Sequence, residues 1–280
     1  MPEPFLGQSL ADRREALETA AALSGRPVYL LEKDVWVVRA LEILFASPFV
    51  GELAFKGGTS LSKAYGAIRR FSEDVDLTYD IRRLAPELRG EGALEALTVS
   101  QTNRWSKRIR KNLLPTWLRT ELAPFIQSRI EVARLPASLR VEGADIYIDY
   151  KAVARAPGYV SPAVKLEFGA RATGEPTEVK LVSCAAAPHR SMLAFPTVTP
   201  RVMRVERTFW EKATATRRGD VLRSSSARAI ARERPSPTEH PCLDIVSPPD
   251  RFKGAPIPKA LGVGAGWRPI RRAARATRNR

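Results

Sequence analysis

The segment 55–77 constrains this chain more than any other, because it places a double glycine a short distance before two carboxylates. It reads FKGGTSLSKAYGAIRRFSEDVDL, and Asp74 is the sixteenth residue after Gly58. Asp74 and Asp76 alternate with apolar residues, a pattern typical of a strand. Side chains two positions apart in a strand share a face, so we expect the two carboxylates to point the same way.

Two neighbouring carboxylates repel each other once they are buried, unless a cation lies between them. Mg²⁺ suits that position because it takes oxygen ligands and completes its coordination with water and substrate phosphates. We therefore predict that Asp74 and Asp76 are catalytic groups that bind Mg²⁺, with Mn²⁺ as the alternative ion. Two ions about 4 Å apart would hold an attacking hydroxyl and a leaving pyrophosphate. Taken alone, a D-x-D sequence is usually solvated surface.

The double glycine predicts the other half of a nucleotide site. Residues 53–55 form a short apolar run that reads as a strand. Gly57-Gly58 would then be a turn where the backbone can approach a ligand closely. Thr59 or Ser60 is expected to cap a helix that extends to about residue 67. A glycine turn that leads into a helix offers free N–H groups to phosphate, although the pattern is not a Walker A loop.

Residues around the two motifs are candidates for substrate contacts. We predict that the segment 57–60 holds a triphosphate and that Lys56 neutralises phosphate charge. Lys63 is a further candidate for charge neutralisation, although an exposed helix lysine is normally only solvated. Ser72 either bonds a phosphate oxygen or merely begins the strand that contains Asp74.

A metal site of this kind usually needs a third carboxylate from a neighbouring strand. Glu167 is our choice, because it alternates with apolar residues in the predicted strand AVKLEF. Asp149, in IYIDY, is the competitor, and either residue is equally explained as a surface acid at the end of a strand. Arg171 would pair with phosphate or with Glu167, since arginine suits bidentate phosphate contacts.

The sequences KGGTSLSKAY and RFSEDVDL together resemble the AbiEii/AbiGii abortive-infection toxins, which are nucleotidyltransferase-like. The resemblance runs from the segment 31–34 to Lys212, and it includes VKLEFGAR at 164–171 and TFWEK at 208–212. It implies that Lys212 contacts the nucleotide, whereas the sequence alone reads as an ordinary helix surface. It also implies a toxin of a toxin–antitoxin or phage-defence system, with a cognate antitoxin and with RNA, the tRNA acceptor end, as the target.

Periodicity along the chain predicts alternating helices and strands. Helices are expected at 8–23, 28–46 and 204–217, and the second of these should pack on the sheet. A strand–turn–helix–strand unit spans 53–79, and a polar linker with a short helix covers 81–100. A helix at 104–134 should be broken or kinked at Pro115 and Pro124. Further strands are predicted at 144–151, 163–168 and 178–183.

Basic residues cluster in the segment 104–111 beside Trp105. Such a surface suits RNA, because basic side chains meet phosphate and aromatic rings stack on bases. A solvated helix face explains the same residues.

The net charge of +16 lies mainly near the C-terminus, because residues 213–280 hold fifteen Lys and Arg against five Asp and Glu. The amphipathic pattern stops at about residue 213, directly after the TFWEK motif. The resemblance leads us to expect a further motif here with an arginine and an aspartate, and that motif is missing. We hypothesise out-of-frame translation or a degenerate tail. A basic disordered tail that binds nucleic acid is the rival interpretation.

The sequence predicts an α/β (α+β) protein: a mixed nucleotidyltransferase sheet with flanking helices, followed by a helical C-terminal region that looks degenerate. The expected divisions are N-terminal helices at 1–50, a core at 51–185, a linker and helix at 186–217, and a tail at 218–280. The expected reaction is Mg²⁺-dependent transfer of a nucleoside monophosphate from an NTP to an acceptor hydroxyl. Two alternatives stay open: an NTP transferase acting on a small molecule or protein, and an inactive nucleotide- or RNA-binding module. No run of eighteen apolar residues occurs, so we expect no membrane span. The two widely separated cysteines read as reduced thiols and the N-terminus lacks a signal-peptide pattern, so we expect a cytoplasmic protein.

Overall fold

A computed structural model of the chain describes residues 2–68, 72, 74–88, 98–154, 156, 161–170, 173–190 and 192–217, without the side chains of Val99 and of 212–217. Arg171 and the segment 218–280 lie outside the described residues, and so does the hypothesis of a frame-disrupted or degenerate tail. The predicted domain boundaries stay predictions.

Eight α-helices lie in the described part of the chain. They are α1 (Leu10–Ser24), α2 (Val28–Phe45), α3 (Gly57–Lys63), α4 (Ile81–Leu84), α5 (Val99–Arg108), α6 (Leu114–Trp117), α7 (Ala123–Val132) and α8 (Val205–Arg217). Single 3₁₀ turns occur at Phe5–Gly7, Pro86–Leu88 and Ala187–His189. None of the helices in these described ranges has both the length and the apolar character needed to span a membrane.

The described strands form one large sheet and two short ribbons. They are β1 (Glu3–Pro4), β2 (Leu53–Lys56), β3 (Asp74–Tyr79), β4 (Ala137–Glu142), β5 (Asp145–Tyr150), β6 (Ala163–Gly169), β7 (Thr177–Val179), β8 (Val182–Ser183), β9 (Leu193–Ala194), β10 (Thr197–Val198) and β11 (Arg201–Met203). The seven-stranded sheet has the order β4-β5-β6-β3-β2-β11-β7. Strand β3 runs parallel to β6 and β11 runs parallel to β2, while the other neighbours are antiparallel. The predicted mixed sheet with flanking helices is therefore confirmed.

The core lies on one face of the sheet, where the apolar residues of β3, β5 and β6 are buried. Trp36 of α2 stacks on Tyr150 of β5, with ring centroids 5.0 Å apart. Trp117 of α6 stacks on Tyr79 of β3, with centroids 3.9 Å apart. The prediction that the second helix packs on the sheet is thus confirmed, and the opposite face is left for polar side chains.

The sequence predicts a break or a kink at the two prolines of the third helical region; the helix does not break there, and a π-helical turn precedes each proline. Two π-helical turns, Ile109–Leu113 and Leu118–Leu122, join α5, α6 and α7 into one continuous helical run. Each π turn contains the residue four positions before a proline, Lys111 before Pro115 and Thr120 before Pro124. The wider i to i+5 turn takes up the missing N–H and the ring clash that proline brings to an α-helix.

Other strand predictions needed correction at the edges of the sheet. The predicted strand 178–183 is two strands, β7 and β8, which pair with different partners. Strand β4 was not predicted, although it forms a hairpin with β5 through Gly143, which has φ +63°. β11 was also missed, because three residues are too few to show a period.

Candidate active site

The two carboxylates of the D-x-D sequence lie in the centre of the sheet, on its polar face. Asp76 pairs in register with Lys56 of β2 on one side and with Glu167 of β6 on the other. Glu167 pairs in turn with Asp145 of β5. Since register partners on adjacent strands point to the same face, one row across four strands carries the side chains of Lys56, Asp76, Glu167 and Asp145.

A second polar row runs beside the first, two residues towards the start of β3. Asp74 pairs with Lys165 of β6, and Lys165 pairs with Tyr147 of β5. In β3, β5 and β6 these polar positions alternate with buried apolar ones. The backbone register therefore places Asp74, Asp76 and Glu167 on one face of the sheet, as predicted.

The competing carboxylate, Asp149, lies elsewhere. It pairs in register with Ala163, four residues before Glu167 on the same strand. Its side chain accepts a hydrogen bond of 3.1 Å from Arg140 Nε. The register thus brings Glu167, and not Asp149, beside Asp76.

Lys165 and Asp145 are the members of this face that the sequence interpretation missed. Lys165 Nζ lies 2.9 Å from Glu167 Oε2 and 3.2 Å from Asp145 Oδ2. The alternation in VKLEF and DIYIDY would have found both, because Lys165 lies two positions from Glu167 and Asp145 lies four positions from Asp149, on the same face of each strand. The lysine therefore joins two of the four carboxylates in the two rows.

Burial and charge act in opposite directions on this cluster. Desolvation raises the pKa of Asp145, with smaller opposing contributions from Lys165. Desolvation alone would lower the pKa of Lys165, but its hydrogen bond with Glu167 and the charges of Glu167, Asp145 and Asp74 raise it above its usual value. Lys165 therefore stays an ammonium among carboxylates at neutral pH.

The double glycine is packed against the D-x-D sequence. Gly57 has φ +78°, and a Cβ placed on it would lie 1.8 Å from Asp76 Oδ2. The α-helix begins at Gly57 itself, after Lys56, and ends at Lys63. The prediction that Thr59 or Ser60 caps this helix and that it reaches residue 67 was therefore wrong.

The hydroxyls of Thr59 and Ser60 bond backbone instead. The Thr59 hydroxyl donates to the carbonyl of Asp74, and it lies 3.5 Å from the carbonyl of Ser72. The Ser60 hydroxyl donates to the Gly57 carbonyl at 2.9 Å. The bond from Thr59 fixes α3 to the start of β3, so the glycine segment and the carboxylates form one unit.

Helix α8 reaches the site through Lys56. Lys56 Nζ donates to Glu211 Oε2 at 3.1 Å, and Arg207 Nε lies 3.4 Å from Glu211 Oε1. The sequence interpretation assigned no role to Glu211. Lys212 follows it in α8, and its side chain lies outside the described atoms, so its nucleotide contact stays a prediction.

Lys63 is not available for phosphate in this structure. Its ammonium forms an ion pair with Asp34 of α2, with side chains only 12% and 6% exposed respectively. The other oxygen of Asp34 accepts a hydrogen bond of 2.7 Å from the Ala185 N–H. Lys63 therefore connects α3 to α2. In this structure it makes a structural contact in place of the predicted neutralisation of phosphate charge.

The basic surface predicted on the third helical region lies largely in α5. Arg108 stacks over the Trp105 ring at 4.8 Å and lies 3.6 Å from Glu87. The arginine, half-exposed, thus places a cation and an aromatic ring side by side on one surface.

The donor chemistry of the polar face fits a hard divalent cation. Asp74 and Asp76 supply carboxylate oxygens from one face of one strand, and oxygen ligands are what Mg²⁺ takes. No group of three His, Cys, Asp or Glu side chains arranged to hold a metal occurs among the residues that the structure describes. Glu167 contacts Lys165 Nζ at 2.9 Å, and its role as a metal ligand stays a prediction.

Comparison with known proteins gives a family and one solved structure. A family model described as nucleotidyl transferase AbiEii toxin, type IV toxin–antitoxin system, matches residues 39–231. MenT4, a nucleotidyltransferase toxin from Mycobacterium tuberculosis H37Rv, is similar at 18% identity with a TM-score of 0.39. That likeness covers 74% of this chain and 58% of the MenT4 chain, so this chain spans less than two thirds of that structure. No curated protein matches the chain.

Proposed function

The chain belongs to the AbiEii nucleotidyltransferase toxin family, and on that premise we propose that it transfers a nucleoside monophosphate from an NTP to an acceptor hydroxyl. The acceptor oxygen forms a bond to the α-phosphorus, the bond from that phosphorus to the pyrophosphate oxygen breaks, and the hydroxyl proton is lost. The observation that best supports this reaction is the row of Asp76 and Glu167 on adjacent strands, with Gly57 packed against Asp76.

Asp74 and Asp76 are proposed to bind Mg²⁺, or Mn²⁺ in its place. Glu167, which the sequence predicts as the third carboxylate, lies beside them on the same face and pairs with Lys165. When bound, the ion stabilises the charge that develops on the phosphate oxygens. The chain's own contribution is to hold these carboxylates on one face, since β3 and β6 are adjacent and in register. Asp76 is further fixed in position by the close approach of Gly57.

The triphosphate is assigned to the segment from Lys56 to Ser60 beside the carboxylates. The hydroxyls of Thr59 and Ser60 donate to backbone carbonyls, so backbone N–H groups, rather than these hydroxyls, would meet the phosphates. Lys56 supplies positive charge next to Asp76. Three further residues keep their predicted nucleotide contacts from the sequence: Ser72, Arg171 and Lys212.

We propose RNA, specifically the acceptor end of tRNA, as the acceptor, and a cognate antitoxin as the protein partner in the cytoplasm. The family description names a type IV toxin–antitoxin system, and phage defence is the biological role that follows from the resemblance. The Trp105–Arg108 pair on α5 supports an RNA surface, since it combines a stacking ring with a cation.

The test is incubation of the full-length protein with each α-labelled NTP, total tRNA and Mg²⁺, beside an Asp74→Asn/Asp76→Asn variant. The proposal expects label on tRNA and a loss of at least about 100-fold in the variant, because groups that stabilise transition-state charge are worth that much. Label on tRNA that persists in the variant contradicts the assigned site.

Two other outcomes separate the alternatives. Label on a small molecule or on protein, lost in the same variant, supports the same chemistry with another acceptor. Nucleotide binding that depends on Asp74, without transfer to any acceptor from folded protein, supports an inactive binding module.

A further inference from the structure

We propose that Lys165 takes the place of a second metal ion, so that the site binds one divalent cation for each chain. This inference rests on the proposed function, which supplies the metal and the nucleotide. It replaces the pair of ions expected from the sequence with one ion at Asp74 and Asp76 and one ammonium at Glu167 and Asp145.

The position of Lys165 in the sheet supports this role. Lys165 is the register partner of Asp74 and lies two residues from Glu167 on the same strand. Its ammonium therefore projects from the middle of the four carboxylates, on the face where the metal is expected. The side chain is only 19% exposed, so water does little to screen its charge.

Lys165 already occupies the carboxylates that a second ion would need. Lys165 Nζ lies within hydrogen-bond distance of both Glu167 Oε2, at 2.9 Å, and Asp145 Oδ2, at 3.2 Å. A second ion would need these same carboxylates, because Glu167 and Asp145 are the acids of the two polar rows that remain beside Asp74 and Asp76. The ammonium and the second ion thus compete for one place.

The balance of charge on this face also leaves no place for a second ion. Four carboxylates from three strands share this face, and a divalent ion at Asp74 and Asp76 balances two of them. The single charge of Lys165 lies between the remaining two, Glu167 and Asp145. A second divalent ion would bring two like charges close to the ammonium, and repulsion at that range in a half-buried site is strong.

The experiment counts bound Mn²⁺ by electron paramagnetic resonance in full-length protein. Unreactive α,β-methylene analogues of ATP, GTP, CTP and UTP are tested in turn, and binding of the analogue alone is subtracted. We expect one protein-bound ion in the wild type and two in Lys165→Met, because the two carboxylates lose their cation. Lys165→Arg should keep a count of one, since it retains the charge.

Lys180→Met is the matched control, since Lys180 pairs with Glu178 at 3.3 Å on the surface, away from the carboxylate rows. The Lys180→Met protein should bind one ion, as the wild type does. Circular dichroism establishes that each variant is folded. If Lys165→Met does not fold, the wild-type count and the Lys165→Gln variant decide, with two ions expected in the latter.

Two ions or none in the wild type would overturn the inference, and so would a count of one in a folded Lys165→Met protein. Failure of the proposed function looks different. Wild-type protein that holds one ion at Asp74 and Asp76 but transfers no nucleotide leaves the role of Lys165 intact and removes the transferase proposal. Wild-type protein that transfers nucleotide with two bound ions supports the transferase proposal and overturns the role of Lys165.

Discussion

Gly57 lies so close to Asp76 that a β-carbon at Gly57 would come within 1.8 Å of Asp76 Oδ2. No rotation of the aspartate removes the overlap entirely, because the Asp76 Cβ would itself be only 2.7 Å away. The two residues belong to sequence motifs that look independent. Their contact makes the glycine segment and the carboxylate pair a single geometric unit.

Gly57→Ala should therefore damage the site more than the fold. Its φ of +78° strains any side chain by about 1–2 kcal/mol, and the new methyl group must displace Asp76. We expect nucleotidyl transfer to fall at least about tenfold, since misplacement of about 1 Å has large effects on rate. Initial rates with saturating NTP, and urea unfolding of the same sample, measure the two effects.

Gly66→Ala is the control for backbone strain alone. Gly66 also has positive φ, +60°, but a Cβ there meets nothing within 4 Å. The variant should lose a similar free energy of unfolding and keep its transfer rate. Equal losses of rate in both variants would show that backbone strain, and not contact with Asp76, explains the effect.

The buried ion pair between Lys63 and Asp34 should contribute strongly to the cohesion of α2 and α3. Asp34→Asn leaves the Lys63 ammonium buried without its counter-charge, at a cost of about 3 kcal/mol in the free energy of unfolding. Denaturant unfolding at neutral pH measures this loss. Glu52→Gln is the comparison, because its partner Arg83 is half-exposed and surface pairs contribute about 1 kcal/mol or less. Similar losses in both variants would contradict the structural role of Lys63.

Tyr65 and Glu178 form a contact with a defined pH dependence. The Tyr65 hydroxyl lies 2.9 Å from Glu178 Oε1, and this hydrogen bond lowers the pKa of Glu178. A lowered pKa in the folded protein stabilises it above the unfolded pKa, about 4.3, and this contribution disappears as pH falls through the folded value. Tyr65→Phe should raise the pKa of Glu178, as measured by carbon-13 NMR titration of the carboxyl group.

The effect on stability should be small, within about 1 kcal/mol, because Glu178 is 36% exposed and solvent screens the contact. The difference in unfolding free energy between wild type and Tyr65→Phe should narrow as the pH falls from about 6 to about 3, a window that extends to both sides of the ordinary carboxyl pKa of about 4.3. A difference that widens at low pH would contradict the assignment.

The contact between Lys56 and Glu211 should tune nucleotide binding more than stability. Glu211 is 40% exposed and holds Lys56 from α8. Glu211→Gln should change the free energy of unfolding by less than about 1 kcal/mol. Lys56→Met should weaken NTP binding about tenfold, because a charge beside the phosphates is lost. Fluorescence titration with labelled NTP measures both variants, and unchanged affinity in Lys56→Met would remove that lysine from the phosphate site.

Most of the fold could be predicted from strong periodic patterns in the sequence. Strands β3, β5 and β6 were predicted because each buries one face and alternates apolar residues accordingly. Helix α2 was predicted from its strongly apolar sequence, and its residues 31–38 are all buried. Strands β7, β8 and β11 have two or three residues each, and their pairing depends on distant strands. The run from α5 to α7 stays continuous through π turns; the sequence marks Pro115 and Pro124 but does not show whether the helix breaks or widens before them.

The site was partly predictable for the same reason. Asp74, Asp76 and Glu167 could be placed on a single face because alternation in a strand fixes which way a side chain points. The sequence could not show that β3 and β6 are neighbours in parallel register, which is what brings Asp76 beside Glu167. Nor could it show that Lys63 reaches Asp34, since the contact joins helices that are twenty-nine residues apart.

The most direct test of the central claim compares the rate of nucleotidyl transfer in Asp76→Asn with that in Asp149→Asn. Both aspartates lie on the polar side of the sheet, but Asp149 pairs with Arg140, away from Glu167. We predict that Asp76→Asn lowers the rate at least about 100-fold, while Asp149→Asn stays within about threefold of the wild type, a difference of less than 1 kcal/mol. An active Asp76→Asn protein, or equal losses in both variants, would contradict the assignment of this face as the active site.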